Sequence, residues 1–365
     1  MLGLLLVAAL AAPPRPPDPR FGWIAAIEQS GGVHQLSPGT YFIDRQYKLP
    51  DGTQIVGAGG GGVSNGTTIM AVATNAAQQG GHFHGCGLNH VNRIGFVLGS
   101  HCRIADMHFV GIERSRYPDS HPLCGGAPFE TPGCATAFCT SVNGTTYVVG
   151  GGRAIRDSVV ENVTVAGGTV QNGFWMPQTP GDTYCENITV RHLTVLGSCA
   201  QPGPCPPSTS SDGGGTWADG INVHGAHRDI LVEANRIPHT GDDGFALWSK
   251  GSTETNVTFR GNYAASPRYP RTWLASCYAM YGGTTAAFVG NSCVQTGSRG
   301  ALYLADGFGG NFEPNVSFVD VVGNNFTGCC PICPHPCGVH GAVNAPGCHN
   351  ISTDGGTRPV IVAQQ

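Results

Sequence analysis

The sequence predicts an all-β chain, wound as a single-stranded parallel β-helix behind a short N-terminal helical cap. Three observations predict it. Short strands of the form Asn-apolar-Thr/Ser-apolar recur: Asn162-Val163-Thr164-Val165, Asn187-Ile188-Thr189-Val190, Asn256-Val257-Thr258-Phe259 and Asn315-Val316-Ser317-Phe318. A second strand type begins beside glycine: Asn172-Gly173-Phe174-Trp175, Asp219-Gly220-Ile221-Asn222, Asp243-Gly244-Phe245-Ala246 and Arg299-Gly300-Ala301-Leu302. Finally, 56 Gly and 26 Pro accompany a 40% apolar content, which lies in short alternating runs. A unit of about two dozen residues cannot bury its own apolar face, but stacked units can. No series of amphipathic helical windows is present to cover a doubly wound sheet, and the repeat lengths suit a propeller less well. Asn-rich turns such as Glu233-Ala234-Asn235 and Gly261-Asn262 are expected to ladder along the axis.

Met1 to Ala12, MLGLLLVAALAA, has the length of a signal-peptide core and ends in small residues before Pro13-Pro14. No Lys or Arg precedes it, and it is too short to span a bilayer. Residues 21–365 are expected to form one β-helix domain. Its opening, AAIEQSGGVHQLSPGTYFIDRQYKLPDGTQIVGAG, resembles that of the pectate-lyase-like β-helix superfamily, which implies a right-handed coil. In that resemblance a short helix caps the coil, Pro38-Gly39-Thr40-Tyr41 turns into the first rung, and Gly57-Ala58-Gly59 makes a Gly-rich turn. A cap covers the apolar end and blunts the edge strands. Two insertions break the period, at about residues 114–152 and 197–216, and long solenoid loops often form a binding wall. Cys199 and Cys205 are placed to close the second loop, and the Cys-dense tail, 328–348, is expected to be stapled.

Only 12% of the 365 residues are charged and the net charge is −4, which argues against a nucleic-acid binder. Fifteen Cys suggest an oxidising compartment, and the odd number leaves at least one outside an intrachain pair. Eight Asn-x-Ser/Thr sites, at Asn65, Asn143, Asn162, Asn187, Asn256, Asn315, Asn325 and Asn350, point the same way. An Asn turn before an alternating strand also makes such a site by accident, so only some are expected to carry glycan. The chain is expected to be secreted, to an extracellular or cell-wall location. The run CCPICPHPCGVH, Cys329 to His340, reads as disulfides rather than zinc.

The chemistry concentrates in WADGINVHG (Trp217 to Gly225) and TGDDGFALWS (Thr240 to Ser249). If each repeat makes one turn, Asp219 lies directly below Asp243, with Asp242 beside them. Parallel strands are about 4.8 Å apart, so acids on adjacent turns can share one bond of a substrate. Glycoside hydrolysis needs a protonated carboxyl for the leaving oxygen and a carboxylate to activate water or attack the sugar. Clustered acids raise one another's pKa. Against this, Asp-Gly is a common turn pair, and stacked acids also ladder or bind Ca²⁺. Asn222 and His224 alternate on one strand, both opposite Val223, and are candidates for sugar hydroxyls or for tuning an acid. Trp248 and Tyr281 are candidate platforms for sugar rings, and Trp175, one rung earlier, would extend the groove.

ADGINVHG, TGDDGFALWS and LASCYAMYGG (Leu274 to Gly283) are similar to glycoside hydrolase family 87, the α-1,3-glucanases and mycodextranases. About seventy residues carry the likeness. It implies that Asp219, Asp242 and Asp243 are the catalytic acids, that the substrate is an α-glucan, and that the reaction inverts configuration. Rung spacing alone would suggest the shorter separation of retaining enzymes. The chain departs from the pattern at Cys277, where a small residue is usual, and at Thr284-Thr285, where a more polar or acidic one is expected. Polygalacturonases resemble it less, since their Gly-His-Gly and Arg-Ile-Lys signatures are absent. A lyase or epimerase would need basic groups against a uronate, and the chain has two Lys, Lys48 and Lys250, and no evident Arg row. A non-catalytic extracellular β-helix is the remaining alternative. No cofactor and no metal are implied; the expected partner is a polysaccharide bound by a monomer, with no nucleic acid and, after signal removal, no membrane.

Overall fold

The computed structural model describes residues 19–44, 46–59, 65–72, 95–110, 138–139, 154–166, 173–176, 184–197, 219–225, 227–238, 240, 242–249, 255–265, 276–294, 301–305, 312, 318–327, 343–345, 349–354 and 360–364. Within them the chain is a right-handed parallel β-helix with one short helical cap. The leader-like segment, most of both insertions and most of the Cys-rich tail lie outside these residues. No helix among the described residues is long and apolar enough to cross a membrane.

The cap is the 3₁₀ turn Pro19–Phe21 followed by the helix Gly22–Ser30, which buries Phe21, Ile24 and Ile27 on the open end. One face of the coil stacks, in order along the axis, Gln46–Lys48, Gly95–Val97, Phe138–Cys139, Phe174–Met176, Ile221–His224, Phe245–Trp248, Tyr278–Tyr281, Leu302–Ala305 and His349–Asp354, each parallel to the next. Val343–Ala345 pairs antiparallel with His349–Asp354. The other two faces join into a second sheet because Arg103–Val110 and Arg156–Ala166 each run through the corner between them. Phe138–Cys139 lies inside the stretch expected to be a loop insertion, so that stretch contributes a rung of its own.

The repeat is less even than the sequence suggests. Ile221 pairs with Phe245, Phe245 with Tyr278 and Tyr278 with Leu302, so these coils take 24, 33 and 24 residues. Phe174 pairs with Ile221, a coil of 47. Strand register is kept along this face, and the extra residues fall between strands; on the other sheet the pairing of Thr194–Gly197 with Arg156–Ala166 shifts between Val195 and Gly197. Alternation puts Ile221, Val223, Phe245, Leu247, Tyr278, Met280, Leu302 and Leu304 inside, all buried. Like rings stack where register aligns them: Phe245 lies on Tyr278 and Phe259 on Phe288, both with centroids 5.1 Å apart.

One corner is held by the expected asparagine ladder, Asn235, Asn262, Asn291 and Asn324 on successive coils. Each amide nitrogen of the first three donates to the oxygen of the next asparagine, at 3.0, 3.1 and 3.0 Å. The same amides also cap backbone carbonyls, as Asn262 Nδ2 does for Val232 at 2.9 Å. The residues before them, Ala234, Gly261, Gly290 and Gly323, take the left-handed conformation that makes the corner. A second, outer ladder alternates acid and amide. Asn187 donates to Asp157 at 2.7 Å and Asn256 to Asp229 at 2.6 Å, and these four residues take φ of 54, 55, 59 and 54°. Asn162 does the same for Asp106. The Asn-x-Thr pattern at 162, 187 and 256 therefore has a structural origin: a left-handed Asn, an inward apolar residue, then an outward Thr.

Cys277 and Cys293, both fully buried, form a disulfide across the coil interior, 16 residues apart. The departure noted at Cys277 thus concerns the inside of the coil rather than the groove. Closing a loop of that length is worth about 3 kcal/mol in the chain-entropy picture. The double variant Cys277→Ala/Cys293→Ala is expected to lose about that much stability in urea unfolding, with its far-UV circular dichroism spectrum unchanged. Cys102 is a buried thiol outside any disulfide, its Sγ donating to the Pro50 carbonyl at 3.3 Å.

Candidate active site

Asp219 and Asp243 stand immediately before the paired strands Ile221–His224 and Phe245–Trp248. The Asp243 N–H donates to Asp219 Oδ1 at 3.1 Å, so the two acids stack as their 24-residue spacing implies. The pattern repeats one coil on, where the Ser276 N–H donates to Asp243 Oδ1 at 2.6 Å. Asp219, Asp243 and Ser276 thus occupy one column. The glycine after each acid is fixed by the same closeness, not by an unusual φ. A Cβ on Gly220 would lie 2.7 Å from the Gly244 carbonyl oxygen, and one on Gly244 would lie 2.7 Å from that of Cys277.

Each stacked acid has a second donor. Asn222 Nδ2 donates to Asp219 Oδ2 at 2.5 Å. The Tyr281 hydroxyl donates to Asp243 Oδ2 at 2.8 Å. Asp242 lies beside them, half-buried, with its carbonyl accepting the Thr240 hydroxyl at 2.6 Å. One oxygen from each of Asp219, Asp242 and Asp243 lies within 4.8 Å of the other two. That spacing alone would admit a cation, but donors on all four oxygens of Asp219 and Asp243 suit an acid–base cluster at least as well. Burial, then the charges of Asp242 and Asp219, push the Asp243 carboxyl well above the ordinary carboxylate range, against the opposing pull of Ser276 and Tyr281. Such a cluster retains a proton to higher pH than isolated acids do, and it titrates as a unit.

The remaining sequence candidates fall on the same outward face. Register aligns Trp175, Asn222 and Ala246 in one column and His224, Trp248 and Tyr281 in the next. Asn222 and His224 both point away from the interior, as alternation requires. His224 and Trp248 stack with centroids 4.2 Å apart and planes 8° from parallel, so one indole face is already covered by imidazole. Trp175 and Tyr281 are each 7% exposed. Tyr281 packs edge-on to Tyr303, 5.8 Å between centroids, in a small aromatic cluster with Ala279 and Ala305 that Trp248 joins. Thr284 and Thr285 divide: Thr285 Oγ1 accepts the Asn256 N–H at 2.7 Å, whereas Thr284 Oγ1 is buried without a hydrogen bond. Two further oxygens at the acids are buried and unbonded, Asn222 Oδ1 and Ser276 Oγ. Ser276 carried no sequence signal: only the register, one coil on from Asp243, reveals it.

No sequence family matches the chain, and no curated protein does. Among solved structures it is similar to the catalytic unit of the thermostable GH87 α-1,3-glucanase from Streptomyces thermodiastaticus strain HF3-3, with 19% identity and a TM-score of 0.52 over 83% of this chain and 42% of that one. It is similar also to the Agl-KA catalytic domain, with 16% identity and a TM-score of 0.50 over 83% and 43%. The chain spans less than half the length of either. At these identities the likeness is one of fold.

Proposed function

We propose that this chain is a secreted glycoside hydrolase that cleaves a polysaccharide, of the α-1,3-glucan type, by acid–base catalysis at Asp219, Asp242 and Asp243. The observation that carries the reading is the convergence of three carboxylates from two adjacent coils, one of them pushed well up by burial and by the other two. Asp219 takes the part of the base, its two oxygens oriented by the Asn222 amide and the Asp243 N–H. Asp243 keeps a proton within the cluster. In the step, Asp219 takes a proton from a water whose oxygen bonds to the anomeric carbon as the glycosidic bond breaks, and the proton held on Asp243 passes through the half-exposed Asp242 to the leaving oxygen. Asn222, His224, Trp248 and Trp175 line the same face as contacts for the glycan. The GH87 relatives in fold and the resemblance of the acid motifs both favour a neutral α-glucan over a uronate.

Incubation with α-1,3-glucan, other neutral glucans and polygalacturonate tests this. New reducing ends without an unsaturated product support hydrolysis. A product absorbing in the ultraviolet identifies a lyase instead, and no product from any glycan favours a non-catalytic β-helix. Family resemblance implies inversion, whereas oxygens within 4.8 Å lie nearer the roughly 5 Å separation of retaining enzymes. Proton NMR of the first anomer released decides between them.

A further inference from the structure

We propose that Tyr281 is a positioning residue of the acid cluster, whose phenol hydroxyl fixes the Asp243 carboxylate and sets how tightly the cluster holds its proton. The sequence offers Tyr281 as a platform for a sugar ring. Its geometry points elsewhere. The ring is nearly buried, with an edge against Tyr303, and the hydroxyl is spent on Asp243 Oδ2 at 2.8 Å. The other Asp243 oxygen is held by the Ser276 N–H, just ahead of the Tyr278–Tyr281 strand. Both grips on Asp243 therefore come from the following coil, whose interior is closed by the disulfide at Cys277.

Among the described residues, the groups facing Asp243 come from three coils. Asp242 lies on its own turn, Asp219 on the preceding coil, and Ser276 and Tyr281 on the following one. On the adjacent strands His224 lies against Trp248, Tyr303 meets Tyr281, and the Tyr278 hydroxyl turns inward to the carbonyls of Asn262 and Ser292. Both neighbouring acids and burial favour the protonated carboxyl, whereas a hydroxyl donor favours the ionised one. Tyr281 thus opposes three effects, and its removal must let the proton be held more tightly.

This rests on the hydrolase reading only for its kinetic arm. Tyr281→Phe keeps the ring and its packing and deletes the hydroxyl alone. In protein labelled with ¹³Cγ-aspartate, with Asp243→Asn used to assign the signal, the Asp243 midpoint is expected to rise by about one pH unit, a tenfold gain in proton affinity. With an active substrate, kcat is expected to fall about tenfold, the pH–rate profile to move to higher pH, and KM to stay unchanged. Tyr278→Phe, which loses bonds to backbone carbonyls inside the coil, is expected to lower thermal stability and leave the Asp243 midpoint in place. An unmoved midpoint in Tyr281→Phe, or a loss confined to KM, overturns the assignment. If the wild type cleaves no glycan, the hydrolase reading fails while the carbon titration still decides the role of Tyr281.

Discussion

Asp243→Asn is expected to abolish turnover and at the same time to raise the melting temperature at neutral pH. Loss of a general acid–base group costs roughly 10²- to 10⁴-fold in rate, so residual activity should fall about a thousandfold. The stability gain follows from linkage. In the unfolded chain this carboxyl ionises near 3.8, while in the folded chain its pKa lies well above that. Below pH 3.8 both states hold the proton, and the fold bears no cost. As pH rises past 3.8 the unfolded chain releases its proton and the folded one does not, so stability is lost up to the folded pKa. Asn carries no charge to bury. Its oxygen still accepts the Ser276 N–H, and its amide can donate to a Tyr281 hydroxyl that now serves as acceptor. Each 1 kcal/mol recovered is worth roughly 1–2 °C for a chain of this length. Calorimetry at pH 7 and near pH 3.5 checks both halves: the gain should be present at the first and absent at the second. Equal melting temperatures at pH 7 would show that the buried acid imposes no such cost.

Asn262→Ala is expected to be among the most destabilising single changes in the chain. Asn262 is 1% exposed and sits inside the ladder. Its oxygen accepts both the backbone N–H and the side-chain amide of Asn235, and its amide donates to the Val232 carbonyl and to Asn291. Truncation leaves the Asn235 N–H and the Val232 carbonyl buried without partners. An unsatisfied buried group costs about 1–3 kcal/mol, and two of them with the lost packing come to about 3–5 kcal/mol. Asn324→Ala, at the half-buried end of the ladder, breaks fewer bonds and is expected to cost about half as much. Urea unfolding of the two variants checks both the size and the ordering. Equal losses would mean that the ladder has no privileged interior.

Much of this was legible in one dimension. The 24-residue interval between Asp219 and Asp243 became a stacked pair because strand register depends on which residues face inward, and those alternate plainly in Ile221 to His224 and Phe245 to Trp248. The asparagine corner was legible in part, since Asn262 follows Gly261, which suits a left-handed turn, whereas Ala234 before Asn235 does not. The grip on Asp243 was not. Ser276 and Tyr281 arrive on a coil of 33 residues, so no fixed interval points to them. Tyr281 was visible as an aromatic, but a hydroxyl contact depends on rotamer and depth, which spacing does not encode. The partner of Cys277 was hidden too, because a bond across the interior links two faces of the coil that the repeat never places side by side. His224 and Trp248 were each read as groove residues. That they cover one another follows only from their adjacent registers.

Coils of 24, 33 and 47 residues are stacked here without loss of strand register, because every added residue is accommodated between strands. Each acid is aligned by the N–H of the residue in the same column one coil later, whatever length of chain intervenes. Chemistry and specificity are in this way modular. Connecting segments of very different length can therefore join these coils, while the column of Asp219, Asp243 and Ser276 keeps its alignment.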